Sequence, residues 1–346
     1  GGAEAARAAF GGVQVRHGRP GHAGHGLDDF YRGEVGAALG EALGRLGSPL
    51  AAADLARHRS VRRRCLSLPL AGATGLGTPP PTQGLAALML LWLTGRQGAA
   101  TAEGRLHGAV AAARRAFQVR DRHVTDPRDT PVHPTTFLDE AVLAGLAGDE
   151  DAAADAWTLA PDPTDGVWLG CVDDEGVAVS LAQSAGDPGG SGVVPGDTGV
   201  LWHNRGRAFH LAADGPRALA PGRRPYSPLC PGLMHFDDGR VAVMGAAGGD
   251  AQPQAQALLY DACVRGGTPL QQAMTAPRHA LTAAGVVVEA RFDPAVAAAL
   301  EAAGHTVVRG GAFDPRVGRL GALVRHPDGT VEGAADPRGD GAVGAL

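Results

Sequence analysis

The stretch PDPTDGVWLGCVDDEGVAVSLAQSAGDPGGSGVVPGDTGVLWHNRGRAFH, residues 161–210, decides the fold. Val167 to Asp173 is an apolar run, Asp174-Glu175-Gly176 supplies turn residues, and Val177 to Leu181 alternates again, so the two runs predict a hairpin. A glycine-rich loop follows from Gly186 to Gly199, where backbone without Cβ atoms can approach a neighbour closely. A third strand is expected beyond that loop.

Working outward, the chain has 346 residues, 44% of them hydrophobic, enough for a sizeable core in one large domain or two. A formal net charge of −5 argues against nucleic acid as a partner. Lysine and isoleucine are absent and Asn204 is the single asparagine. That pattern reads as GC-rich coding, and it lends the retained Asn204 some interest. The longest apolar run, Leu85 to Leu93, is too short to span a bilayer. The chain opens on Gly1 with no charged, apolar, small-residue leader, so the expectation is a cytoplasmic protein, with a periplasmic or secreted location left open. Cys65, Cys171, Cys230 and Cys263 are widely spaced and read as buried free thiols. Residues 1–26 form a Gly/His/Arg-rich arm; its His17, His22 and His25 lack a periodic scaffold, so neither metal nor cofactor is expected.

Local patterns place the remaining elements. From Leu27, apolar residues recur through Val35, Leu39, Leu43 and Leu46, predicting one helix that stops at Gly47. Cys65 to Thr78 is strand-like. The prolines at 79–81 set the entry to an apolar helix, Leu85 to Leu93, with Thr82 as its expected N-cap. Arg105 to Arg120 is a second long helix, and Gly148 to Asp155 suits an exposed tether. Downstream come a strand from Arg240 to Met244, a Gly248-Gly249 turn into a helix, a strand at Val286 to Ala290 and a helix at Pro294 to Ala303.

Several of these segments together resemble one family. Val172-Asp173-Asp174-Glu175-Gly176, Val179-Ser180, Gly190-Ser191-Gly192-Val193-Val194 and His203-Asn204-Arg205-Gly206 stand in the order found in the gamma-glutamyltranspeptidase family of N-terminal-nucleophile hydrolases. Pro79-Pro80-Pro81-Thr82-Gln83-Gly84 and the closing Ala334-Ala335-Asp336-Pro337-Arg338-Gly339-Asp340-Gly341-Ala342 are similar to the family's proline turn and its terminal segment. The resemblance covers about residues 27–346 and favours the subgroup with Asn-Asn-Arg-Gly. It implies an α/β fold, a four-layer αββα sandwich incomplete at the N-terminus. It also implies a large-subunit-like region at 27–150, a linker at 151–165 and a small-subunit-like region at 166–346. The family's front half has no counterpart here, so a partner chain or oligomer that covers the sheets is an expectation.

In that family a threonine, freed at its amino group by self-cleavage, attacks an amide or gamma-glutamyl carbonyl, and backbone N–H groups stabilise the oxyanion. The resemblance places the nucleophile on Gly166, which carries no nucleophile; Thr164, two residues upstream, is the substitute candidate. It assigns Gly248 and Gly249 to the oxyanion hole, and Ser184, Asn204, Arg205 and Ser227 to substrate contacts. The family's acidic group for the substrate's α-amino group falls on Ala208, which implies weak glutamyl recognition. The expected function is therefore an amide or gamma-glutamyl hydrolase or acyltransferase by descent, with activity impaired or lost. The alternative is a noncatalytic binding or partner-subunit homologue.

Overall fold

A computed structural model describes residues 28–96, 101–130, 132–148 and 165–345. The chain divides into two units, one formed by residues up to Arg62 with Ala185–Asn204, the other by Arg63–Ser184 and Arg205–Leu346.

The first unit begins with helices α1 (Asp29–Arg32), α2 (Glu34–Arg45) and α3 (Ala52–Arg57). The single helix expected from Leu27 is thus broken, and Gly33 is the reason. Its backbone is extended, with φ −107° and ψ −153°, and Asp29 Oδ1 accepts the Glu34 N–H at 2.8 Å across the break. A Cβ on Gly33 would lie 1.9 Å from that oxygen, so glycine is what lets a carboxylate cap α2. Leu39 and Leu43 are buried on the apolar face of α2. In the 185–204 segment the expected third strand does not form. Gly190 and Gly192 take positive φ of 57° and 70°, and two backbone bonds at 2.8 Å, Ser191 N–H to Trp202 O and Trp202 N–H to Val193 O, fold the loop on itself.

The second unit carries β1 (Leu66–Leu70) and β2 (Ala73–Gly77), then helices α4 (Gly84–Gly95), α5 (Ala102–His123) and α6 (Glu140–Gly148). The deciding stretch gives the hairpin β3 (Asp165–Val172) and β4 (Ala178–Gly186), whose turn is closed by Val177 N–H on Asp173 Oδ1 at 2.8 Å. Next come β5 (Gly232–Phe236), β6 (Val241–Ala247), α7 (Ala251–Tyr260) and α8 (Leu270–Thr275). The chain finishes with β7 (His279–Thr282), β8 (Gly285–Val288), α9 (Pro294–Ala302), β9 (Val307–Arg309), β10 (Arg319–Arg325) and β11 (Val331–Ala335). Of the linker expected over 151–165, residues 151–164 lie outside the described residues, and so does the arm at 1–26.

Strands β1-β2-β5-β6-β10-β11 form one antiparallel sheet. Helix α4 packs on β1 and β2, and α7 on β6 and β10, so these strands have a helical layer. Helix α4 also packs against α5 and α7, which is why its apolar residues run all round it and every one of Leu85 to Leu93 is buried. Strand β3 packs on β6 and β10, making the second sheet layer. Trp168 is its anchor. A Cβ on Gly245 or Gly321 would fall 2.0 or 2.5 Å from the indole, so glycine on β6 and β10 makes room for the ring. The indole N–H donates to Ser180 Oγ at 2.9 Å, and that hydroxyl donates to Met244 O at 3.0 Å. Helix layer, sheet and second sheet are thus three of the expected αββα layers.

Two further expectations need correction. Thr82 does not cap α4: its hydroxyl turns back to Pro79 O at 2.9 Å and Thr78 Oγ1 at 2.6 Å, and the helix starts two residues later. The four cysteines are free, but Cys230 alone is buried; Cys65 and Cys171 are exposed because they lie at a strand entry and on the outer face of the hairpin. Among the described residues, no helix is long and apolar enough to cross a membrane.

Candidate active site

Gly166 stands near the start of β3, beside the end of β4. A Cβ there would lie 2.9 Å from Gln183 O and 3.3 Å from Ser184 Cβ, so a side chain at this position requires the neighbouring backbone to move. Ser184 Oγ accepts a hydrogen bond of 2.6 Å from Arg205 Nη2, and Arg205 opens a 3₁₀ turn through Ala208. The structure thereby brings three of the sequence-expected positions, 166, 184 and 205, to one place. Gly166 also lines a cavity of about 260 Å³ with Trp168, Ala247, Arg319 and Asp336. Ala247 immediately precedes the glycine pair.

That pair turns the chain from β6 into α7, with φ of +119° at Gly248 and +53° at Gly249. Their carbonyls accept the first N–H groups of the helix, Ala251 N–H on Gly248 O at 3.0 Å and Gln252 N–H on Gly249 O at 3.2 Å. Neither glycine N–H is taken up by an acceptor among the described residues. Two free backbone donors at the start of a ten-residue helix suit an oxygen that gathers negative charge.

The turn is held from behind by buried polar groups the sequence reading missed. Gln83 Nε2 donates to Gly249 O at 3.0 Å and also to Pro228 O, while its Oε1 accepts from Tyr226 OH at 3.1 Å and Arg120 Nη1 at 3.0 Å. Arg120, 2% exposed, pairs with Asp250 Oδ1 at 2.5 Å and Asp121 Oδ1 at 2.8 Å. Burial works to discharge this guanidinium, yet the carboxylates of Asp250 and Asp121 hold its pKa well above the usual value. A signal existed: Gln83 sits against an otherwise apolar helix, and Arg120 lies on the helix face that carries Phe117 and Ala113.

Ser227 joins this assembly through its backbone, with Ser227 N–H on Pro81 O at 2.9 Å, and its hydroxyl bonds no described group. Asn204 also holds its own loop together. Its Oδ1 accepts Asp187 N–H at 3.1 Å, its Nδ2 donates to Asp187 Oδ2 at 2.9 Å, and its N–H bonds Ala185 O, so the side chain closes the 185–204 loop. Thr164 lies outside the described residues. No cluster of three or more His, Cys, Asp or Glu side chains able to hold a metal occurs among the described residues. The terminal Asp336 and Arg338 pair at 3.1 Å, and Arg338 further engages Glu289 at 2.6 Å while Asp336 binds Arg278, a buried lock on the last strand.

Comparison with known proteins identifies the family. The family model described as Gamma-glutamyltranspeptidase matches residues 22–346. The chain is 42% identical over 330 residues to the oxamate amidohydrolase proenzyme of Klebsiella pneumoniae subsp. pneumoniae, covering 93% of this chain and 62% of that one. It is 30% identical over 328 residues to the glutathione hydrolase-like YwrD proenzyme of Bacillus subtilis, covering 92% and 62%. The crystal structure of cephalosporin acylase from Bacillus halodurans superposes with a TM-score of 0.82 at 30% identity, covering 92% of this chain and 60% of the acylase. The chain thus spans about three-fifths of the length of these relatives, shares their N-terminal-nucleophile α/β fold, and belongs to the gamma-glutamyltranspeptidase family.

Proposed function

We propose that this chain binds a small acyl amide or gamma-glutamyl compound as its family does, and hydrolyses it poorly or not at all. The observation that carries the reading is Gly166: the position where the resemblance puts the attacking threonine has no side chain, and a Cβ there would press on Gln183 O at 2.9 Å. The binding half of the reading draws support from the free N–H groups of Gly248 and Gly249, the Ser227 hydroxyl and the Ser184–Arg205 pair. A short acyl amide is preferred over glutathione, because Ala208 offers an ammonium group no carboxylate and the relative at 42% identity is an oxamate amidohydrolase. A partner chain that borders this site is part of the same proposal.

The second reading, catalysis by Thr164 after self-cleavage, rests on its place two residues before Gly166, a shift that keeps the face of a strand. Calorimetry with oxamate and glutathione, an ammonia-release assay and a denaturing gel separate the readings. Oxamate is expected to bind at about 1 mM or tighter, with no ammonia above the enzyme-free rate and one intact band. Two bands with oxamate turnover would transfer the case to Thr164, and no binding of either compound would remove the ligand site altogether.

A further inference from the structure

A run rich in arginine leads into the first strand: Arg57-His58-Arg59-Ser60-Val61-Arg62-Arg63-Arg64, followed by Cys65 and β1. We propose that this run docks an acidic protein segment, one with several Asp or Glu side chains close together in sequence. The run uses no residue of the candidate active site, so the docking stands independently of the function proposed above.

Three observations carry it. Every residue from 56 to 65 is exposed, and 58 to 65 belong to no helix or strand. The charge is unmatched at one end of the run. Arg57 pairs with Asp54 at 2.6 Å, and Arg59 turns its guanidinium onto Ala56 O and His58 O, at 2.6 and 2.7 Å. Arg62, Arg63 and Arg64, by contrast, have neither a carboxylate nor a hydrogen-bond partner among the described residues. Peptide bonds alone keep these three cations together, at no more than about 3.6 Å of chain per residue. Like charges so placed repel, and carboxylates entering among them relieve that repulsion. Finally, the backbone of residues 60–64 makes no hydrogen bond among the described residues, so its N–H and C=O groups are available to an incoming chain as well.

The chemistry of the partner follows from what surrounds the run. A guanidinium fork matches a carboxylate, two N–H groups to two oxygens. Nucleic acid, with a charge every 1.7 Å or so of duplex, would extend past the run onto a chain of formal net charge −5 and be repelled there. A firm hold on an anionic bilayer needs apolar side chains beside the basic ones, and Val61 is the single apolar residue in the run. An acidic segment of about six residues, roughly 20 Å when extended, covers the run and goes no further.

The probe is a fluorescein-labelled hexaglutamate peptide, titrated into the full chain by fluorescence anisotropy at about 0.15 M salt. Hexaglutamine and a short single-stranded DNA, both with the same label, and phosphatidylserine vesicles are run beside it. Hexaglutamate is expected to bind saturably, at least about tenfold tighter than any of these three, and to weaken as salt rises to about 0.5 M. Arg62→Gln, Arg63→Gln and Arg64→Gln combined are expected to weaken it at least about tenfold. Arg309→Gln, which removes an exposed arginine paired with Glu301, is expected to leave it within about twofold. Both variants are checked for an unchanged circular dichroism spectrum. No saturable binding of hexaglutamate, equal binding of the DNA or the vesicles, or binding unaltered in the folded triple variant would each overturn the proposal. If the triple variant does not fold, Arg63→Gln alone decides, with a weakening of about threefold expected and an unchanged affinity counting against the run.

Discussion

The two sides of the candidate active site are held in opposite ways. The Gly248–Gly249 turn is fastened by the buried groups Tyr226, Gln83, Arg120 and Asp250, joined in that order by hydrogen bonds, with Gln83 Nε2 donating to Gly249 O. The Gly166 side has one strand end, a bare α-carbon and a serine engaged by Arg205. Charged groups taken out of water cost several kcal/mol each unless fully paired. A turn with such a support is held in a fixed backbone conformation, whereas Gly166 presents no side chain at all. The lesson is that a backbone turn can be fixed by buried side chains remote in sequence while a neighbouring strand end rests on a few local contacts.

Arg120→Met tests the support most severely. It leaves Asp250 and Gln83 Oε1 in the interior without their guanidinium, and breaking one partner of a buried pair costs about 3–5 kcal/mol. Scanning calorimetry should register that loss, and Arg120→Met combined with Asp250→Asn should recover part of it, since the orphaned charge is then gone. A loss below about 1 kcal/mol would mean the pair behaves as a surface one, and the contrast between the two sides would collapse.

Gly245→Ala strikes the attachment of β3 instead. The added methyl would meet Trp168 Cδ1 at 2.0 Å, so the indole must leave its berth on β6, at about 2 kcal/mol for overpacking. Gly44→Ala on α2, where nothing lies within 4 Å, is the control and should be neutral or slightly stabilising. Urea midpoints for the two variants compare them directly.

Much of this arrangement was legible in the residues, and the exceptions have physical causes. The hairpin, the Gly-Gly turn into a helix and the apolar helix α4 all follow local patterns that a single element decides. The break at Gly33 and the fate of Asn204 did not. Periodicity runs unaltered through Gly33, and only the carboxylate of Asp29 reaching Glu34 N–H distinguishes two helices from one. Asn204 carries a role its motif does not announce: its amide accepts from Asp187 N–H and donates to Asp187 Oδ2, seventeen residues away. Gln83, Arg120 and Trp168 act across more than a hundred residues or across two strands, distances over which spacing carries no information. Gly166 was visible as a glycine; the closeness of Gln183 O was not.

That closeness makes the mildest change the sharpest one. Gly166→Ala puts a methyl 2.9 Å from Gln183 O and 3.3 Å from Ser184 Cβ at the end of the hairpin, at an expected cost of about 1 kcal/mol by urea unfolding. Gly166→Thr adds a second branch, with a hydroxyl next to Ser184, at little further cost if the hairpin has already yielded. The pair of variants therefore separates accommodation from chemistry. If the threonine chain folds with the alanine chain's stability and then splits into two pieces on a denaturing gel, the outward N–H groups of the Gly248–Gly249 turn have remained competent, and what the chain lacked was one side chain. If it folds equally well and stays whole, the attacking half was lost in more than its nucleophile, and the turn serves an oxygen that is bound without being cleaved.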